Sequence, residues 1–247
     1  MKQQRTEPIE STKKLQNIEL GETTKIKLFV WKLRTKMRDI IGKDALAAEK
    51  RGTTATNLHR VYRKVEEFTG TYFPALKGST PKNVAIKRLE DVIGELGYSV
   101  VEKDIDKPWG AYFRMANSDA ERFVSEFFPG LTYKEALLGN KNAELSPKFL
   151  IVAPGQRLSW QFHYRRAERW RFLNDGTYHR SATDKQGKVL QAKAGEVIQF
   201  APSERHRLCA HQDGKSYTLV AEMWQHVDKN NLSDEDDIVR LSDDYKR

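Results

Sequence analysis

The chain has a single cysteine in 247 residues, Cys209, so no disulfide can close within it, and a reducing, cytoplasmic setting is expected. It has no uninterrupted apolar stretch of the roughly 18 residues that crossing a bilayer takes. Its opening, Met1-Lys-Gln-Gln-Arg-Thr-Glu, is polar with no apolar run behind it, so neither a secretory signal nor an anchor is expected. Internal repeats and low-complexity tracts are missing as well. What is present is core-forming material: 38% hydrophobic residues, with five Trp, nine Tyr and eleven Phe, which excludes a wholly disordered chain.

Charge is unevenly spread. The formal net charge is +9, but residues 1–103 hold 21 Lys and Arg against 13 Asp and Glu, and residues 104–247 hold 22 against 21. The excess belongs to the first region alone, which predicts two regions with different work: a basic, helical segment over 1–103, its first 22 residues mobile, and a second domain over 104–247.

Hydrophobic spacing supports the division. Ile26, Phe29, Val30, Leu33, Met37, Ile40 and Ile41 recur at helical steps opposite Lys25, Lys27, Lys32, Arg34 and Lys36. Leu58, Val61, Tyr62 and Val65 suggest a second helix between Thr54 and Gly70. A third would be capped by Ser79 or Thr80, enter through Pro81, bury Leu89, Val92, Ile93 and Leu96, and stop at Gly97. Short helices follow at Ser118–Phe128 and Tyr133–Leu138. From Pro147 the period falls to two: Phe149–Val152, Glu196–Phe200 and Tyr217–Trp224 read as strands, with Pro154-Gly155, Asp175-Gly176, Gln186-Gly187 and Ala194-Gly195 as turns. Many short strands at this spacing mean a sandwich or a small barrel.

Chemistry concentrates in Gly155–Trp170. On a strand, Gln161 and His163 share a face, and a bend before Glu168 returns a carboxylate beside them. His206, after the turn Ala201-Pro-Ser-Glu-Arg, can complete a set of two imidazoles, a carboxylate and an amide oxygen. Such donors suit Zn, Fe, Mn, Co or Ni better than Mg or Ca, without choosing among them. One carboxylate leaves a divalent ion at about plus one, a site for an anion. A sugar bound there through its carbonyl and the neighbouring hydroxyl could isomerise between aldose and ketose through an enediolate. The plainer alternative is that the histidines are ordinary hydrogen-bonded strand residues.

Lys107-Pro-Trp-Gly, the Gly155–Trp170 stretch, His206-Arg-Leu and the ending Asp236-Asp-Ile-Val-Arg240-Leu-Ser-Asp-Asp-Tyr245-Lys-Arg247 together resemble the cupin domain of type II mannose-6-phosphate isomerases, over about residues 104–247. The likeness is closest to a stand-alone branch labelled phosphoheptose isomerase, and extends to the isomerase end of bifunctional mannose-1-phosphate guanylyltransferases. It implies a mainly β fold, a cupin or double-stranded β-helix (jelly-roll) barrel. It also implies a metal site at Gln161, His163, Glu168 and His206, with zinc as the first expectation, and roles in catalysis or phosphate binding for Arg166 and Arg240. The sequence departs from the family at Arg169 and Tyr164, where His is usual, and in the turn before His206. Strand parity puts Arg166 on the inward side with Glu168, and Arg169 and Arg171 outward. Glu222 is the candidate base. Trp160, Trp170 and Trp224 read mainly as core, and Cys209 as a small buried filler.

The leading expectation is therefore a metal-dependent isomerase acting on a phosphorylated sugar. A cupin that binds metal or sugar without turnover is the alternative, and polyanion or DNA binding by the basic helices stands behind both. Covering a barrel edge or forming a homodimer contact is the plainer role for those helices.

Overall fold

The computed structural model describes residues 76–211 and 213–245. The helices expected around 23–41 and 54–70, and with them any polyanion-binding role, lie outside the described residues. The third expected helix is α1 (Lys82–Glu95), which buries Ala85, Ile86, Leu89 and Ile93. Its N-cap is Pro81, with no side-chain cap from Ser79 or Thr80. Gly97 follows it with a φ of 71°, the left-handed conformation that glycine adopts without a Cβ clash. Two short helices follow, α2 (Ala120–Phe127) and α3 (Tyr133–Ala136), the latter opened by a capping box between Thr132 and Glu135. No helix among the described residues is long and apolar enough to cross a membrane.

The rest is two antiparallel sheets. One runs in the order β1 (Val100–Asp104), β2 (Gly110–Met115), β3 (Lys148–Val152), β10 (Thr218–His226), β5 (Arg166–Phe172), β8 (Val197–Phe200). The other runs β11 (Val239–Ser242), β4 (Trp160–Phe162), β9 (Arg205–Cys209), β6 (Gly176–Ser181), β7 (Leu190–Ala192). From β3 to β6 and again from β7 to β11, each successive strand lies in the opposite sheet. That winding of antiparallel strands back and forth is a double-stranded β-helix, the cupin barrel. Pairing of β1 with β2 carries the sheet across position 103, where the charge asymmetry ends.

The interior is filled by alternate residues of both sheets. Leu150, Val152, Trp170, Phe172, Phe200 and Val220 from one meet Tyr178, Ala192 and Leu208 from the other. The intervening residues of the six-stranded sheet face outward and are covered too: Phe149 meets Phe123 and Phe127 of α2, each ring centroid 5.1 Å away. With both faces packed, β3 and β10 are buried along their whole length, so they read as continuous apolar runs rather than alternating ones. Gly110 closes the Lys107-Pro-Trp-Gly motif for a steric reason. Its φ is 153°, and a Cβ there would lie 1.8 Å from the Ile151 carbonyl oxygen.

Candidate metal centre

Inward positions change character along each strand. β3 runs inward from Val152 through Leu150 to Lys148; β5 from Phe172 through Trp170 to Glu168 and Arg166; β10 from Val220 to Glu222 and Trp224. The apolar ends make the core. The polar ends line a cavity of about 170 Å³ with Ser159, Gln161 and Arg240 from the β4 side of the barrel.

Three of the four expected ligands converge beside this cavity. His163, Glu168 and His206 are all buried, and their ligand atoms lie within 4.8 Å of one another. His163 Nε2 is 3.1 Å from Glu168 Oε1, and His206 Nε2 is 3.4 Å from Oε2. The fourth, Gln161, sits opposite His206 on β4 and lines the cavity with Glu168. Its Oε1 accepts a 2.6 Å hydrogen bond from Ser159.

The far nitrogens of the imidazoles fix the protonation. His163 Nδ1 lies 2.5 Å from the Asp237 carbonyl oxygen, and His206 Nδ1 lies 2.9 Å from that of Glu204. A carbonyl only accepts, so each Nδ1 carries a proton and each Nε2 is the nitrogen turned toward Glu168. Burial, reinforced by Arg166 and His206, lowers the His163 pKa against the pull of Glu168, which keeps that ring neutral. Burial opposes ionisation of Glu168, but positive charge at the His163 and His206 positions would outweigh it and hold the carboxyl well below its ordinary range. The two Nε2 atoms and a carboxylate thus face one another, and Glu168 Oε2 and His206 Nε2 are buried without a hydrogen-bond partner. Buried acceptors left this way are costly unless a cation joins them. The donor set fits a borderline transition-metal ion, with second-layer carbonyls orienting both imidazoles.

Local chain geometry explains the convergence. The turn between β4 and β5 is held by the Asp237 carboxylate, which accepts from the Tyr164 and Arg165 amides at 2.9 and 3.0 Å, while the Asp237 carbonyl steers His163. Hydrogen bonds from Ser233 and these amides hold the Asp237 pKa down in spite of burial. On the other side, the turn after β8 places Ser203 at a φ of 62°, with its amide on the His163 carbonyl at 2.6 Å. His206 then enters β9 packed against Phe200 and Trp170.

Arg166 is inward, as parity predicts, but its donors are committed to the protein. Nε bonds Glu168 Oε1 at 3.0 Å, and Nη1 bonds Ser233 and the carbonyls of Asp234 and Asp237. Nη2 faces His163 Nε2 at 3.4 Å. Arg240 instead is exposed on β11 and lines the cavity. Glu222 also lines it. Burial and then the charge of Glu168 push its pKa up to about 7, and Trp170 Nε1 donates to it at 3.0 Å. Arg169 turns the other way, donating to Gln225 Oε1 at 2.7 Å, and Gln225 in turn reaches the Ala136 carbonyl. Position 169, where the resemblance implies a histidine, is therefore on the outer face of the sheet. Trp160, Trp170 and Trp224 are all buried in the core, and Trp224 also borders the cavity. Cys209 is buried, and burial raises its thiol to about 11, as an inert filler requires.

Fold and site together define a cupin with a buried His-Glu-His centre. Residues 133–243 match the family model described as mannose-6-phosphate isomerase C-terminal, a little under half of the chain. No curated protein matches the chain. Among solved structures it is similar to vicilin from Solanum lycopersicum (12% identity, 55% of this chain and 33% of that one, TM-score 0.37). It is also similar to the capsular polysaccharide assembling protein CapF from Staphylococcus aureus (11%, 71% and 43%, 0.38) and a predicted oxalate decarboxylase from Thermotoga maritima (16%, 53% and 94%, 0.34). The chain spans less than half the length of the first two.

Proposed function

We propose that this protein is a metal-dependent aldose–ketose isomerase acting on a phosphorylated sugar, with mannose 6-phosphate or a heptose phosphate as the substrate type. The observation that carries the reading is a buried cluster of two imidazoles and a carboxylate beside one cavity, whose wall Glu168 shares with Glu222, a carboxyl whose pKa lies near neutrality. His163, Glu168 and His206 would hold a divalent ion, zinc first, with Gln161 as the fourth donor. When bound, such an ion supplies Lewis-acid polarisation of a sugar carbonyl.

The chain's own groups do the rest. Glu222 takes the proton from one sugar carbon and returns it to the next, a task suited to a carboxyl that exchanges protons near pH 7. Arg166 keeps Glu168 and the Asp234–Asp237 carbonyls in place rather than gripping substrate. Arg240 faces the substrate's charge from the cavity wall. Purified protein loaded with zinc, iron, manganese, cobalt or nickel should interconvert mannose 6-phosphate and fructose 6-phosphate, or isomerise sedoheptulose 7-phosphate. His163→Ala and Glu168→Ala should lose both the ion, by elemental analysis, and turnover. A fully metallated protein that turns over none of these sugars would support the binding cupin instead.

A further inference from the structure

Lys148 is a buried cation in the cavity wall to which the isomerase reading gives no work. It opens β3 at an inward position, directly opposite Glu222 on β10, and is 6% exposed. Its Nζ lies 3.7 Å from the centroid of the Trp224 ring. Arg166 stacks on the same ring, also at 3.7 Å, and β10 runs between the strands that carry the two cations. Trp224 therefore separates Lys148 from the His163-Glu168-His206 cluster. The acid paired with Lys148 comes from outside the barrel: Glu235 Oε1, 3.0 Å away, on the segment between β10 and β11. The pair is lopsided, since the Lys148 side chain is 7% exposed and that of Glu235 60%.

We propose that Lys148 is the anion subsite of this cavity, and that Glu235 occupies it in the free protein as a stand-in for the substrate's phosphate. A buried ammonium needs a counter-charge, but an exposed carboxylate gains little from the pairing and is well solvated when released. A phosphate monoester brings between one and two negative charges and three acceptor oxygens, so it is the stronger partner for the same ammonium. Exchange requires only the Glu235 side chain to swing out. The backbone around it stays tied through Asp234 to Arg165 and through Asp237 to the β4–β5 turn. With the phosphate on Lys148 and the reacting carbons at the cluster, the ligand spans the two sides of Trp224. The chemical class selected is a sugar with its phosphate remote from the carbonyl, over the neutral sugar.

The assignment rests on the isomerase reading for its substrate but not for its test. Equilibrium binding of inorganic phosphate, mannose 6-phosphate and mannose is measured on the metal-loaded full chain, with turnover of the same samples recorded separately. Lys148→Met should weaken both phosphates by at least about tenfold while metal content holds. Glu235→Gln, at an exposed side chain that leaves folding intact, should tighten both by about two- to fivefold, the worth of a surface ion pair. Mannose should respond to neither substitution. Unchanged phosphate affinity in both variants, weaker binding in Glu235→Gln, or no phosphate binding by wild type overturns the subsite. Phosphate binding that shifts as expected without turnover keeps the subsite and removes the isomerase. Turnover with unaltered KM in both variants does the reverse.

Discussion

The two ends of the barrel interior are built from the same strands and the same inward register, yet they do opposite things. At one end Val152, Phe172, Val220 and Phe200 close on Tyr178 and Leu208 in a hydrophobic cluster. At the other, one or two inward steps along the same strands, Lys148, Glu168 and Glu222 are buried with a charge or a shifted pKa apiece. The first end supplies stability by removing apolar surface from water. The second costs stability, since each buried ionisable group must be desolvated, and it persists because the first holds its geometry. The proposed function sits where the strand pattern breaks its own rule.

Substitutions that exchange the character of the two ends test this contrast, and the largest effect is expected at Glu222. Glu222→Gln keeps the shape and the bond from Trp170 but removes the proton acceptor, so kcat should fall by about 10²- to 10⁴-fold with little change in stability. The sign of the pH dependence follows from the raised pKa. Below about 7 the carboxyl is protonated and cannot accept, so wild-type activity should fall as pH drops through that value, and the variant's residual activity should lose that limb. A limb retained in the variant would assign the titration to another group. At the filled end, Phe172→Ala should cost about 3–5 kcal/mol in denaturant unfolding, while metal bound per folded molecule stays as in wild type. Loss of metal at unchanged stability would show that the two ends are not separable.

Most of the polar end was legible in the sequence, and its gaps have a physical cause. Parity put Arg166 inward with Glu168 and Arg169 outward because a regular strand fixes both faces once one residue is placed. The Ala201-Pro-Ser-Glu-Arg turn announced His206. Lys148 is hidden in the sequence because it begins a strand buried on both faces, where alternation is masked; its signal is shared parity with Leu150 and Val152. Trp224 is core, as its apolar bulk predicts, but its place between two cations depends on strand order, which local periodicity does not contain. Asp237 was visible only as part of an ending motif. Its contact with His163 spans 74 positions and comes through a backbone carbonyl, which any residue type would offer.

That contact gives the smallest of the expected effects and the finest test of how the polar end is held. The Asp237 carboxylate ties the β4–β5 turn through the Tyr164 and Arg165 amides, and this fixes the carbonyl that orients His163. Asp237→Ala touches no ligand atom. It frees two amides and lets that carbonyl drift, so metal affinity, by competition with a chromophoric chelator, should weaken about 10- to 100-fold, as loss of outer-layer support does elsewhere. Asp237→Asn retains one acceptor oxygen and should recover part of the loss. Equal affinity in wild type and Asp237→Ala would mean that the barrel strands alone set the imidazole, and that the contrast between the two ends needs no support from the segment between β10 and β11.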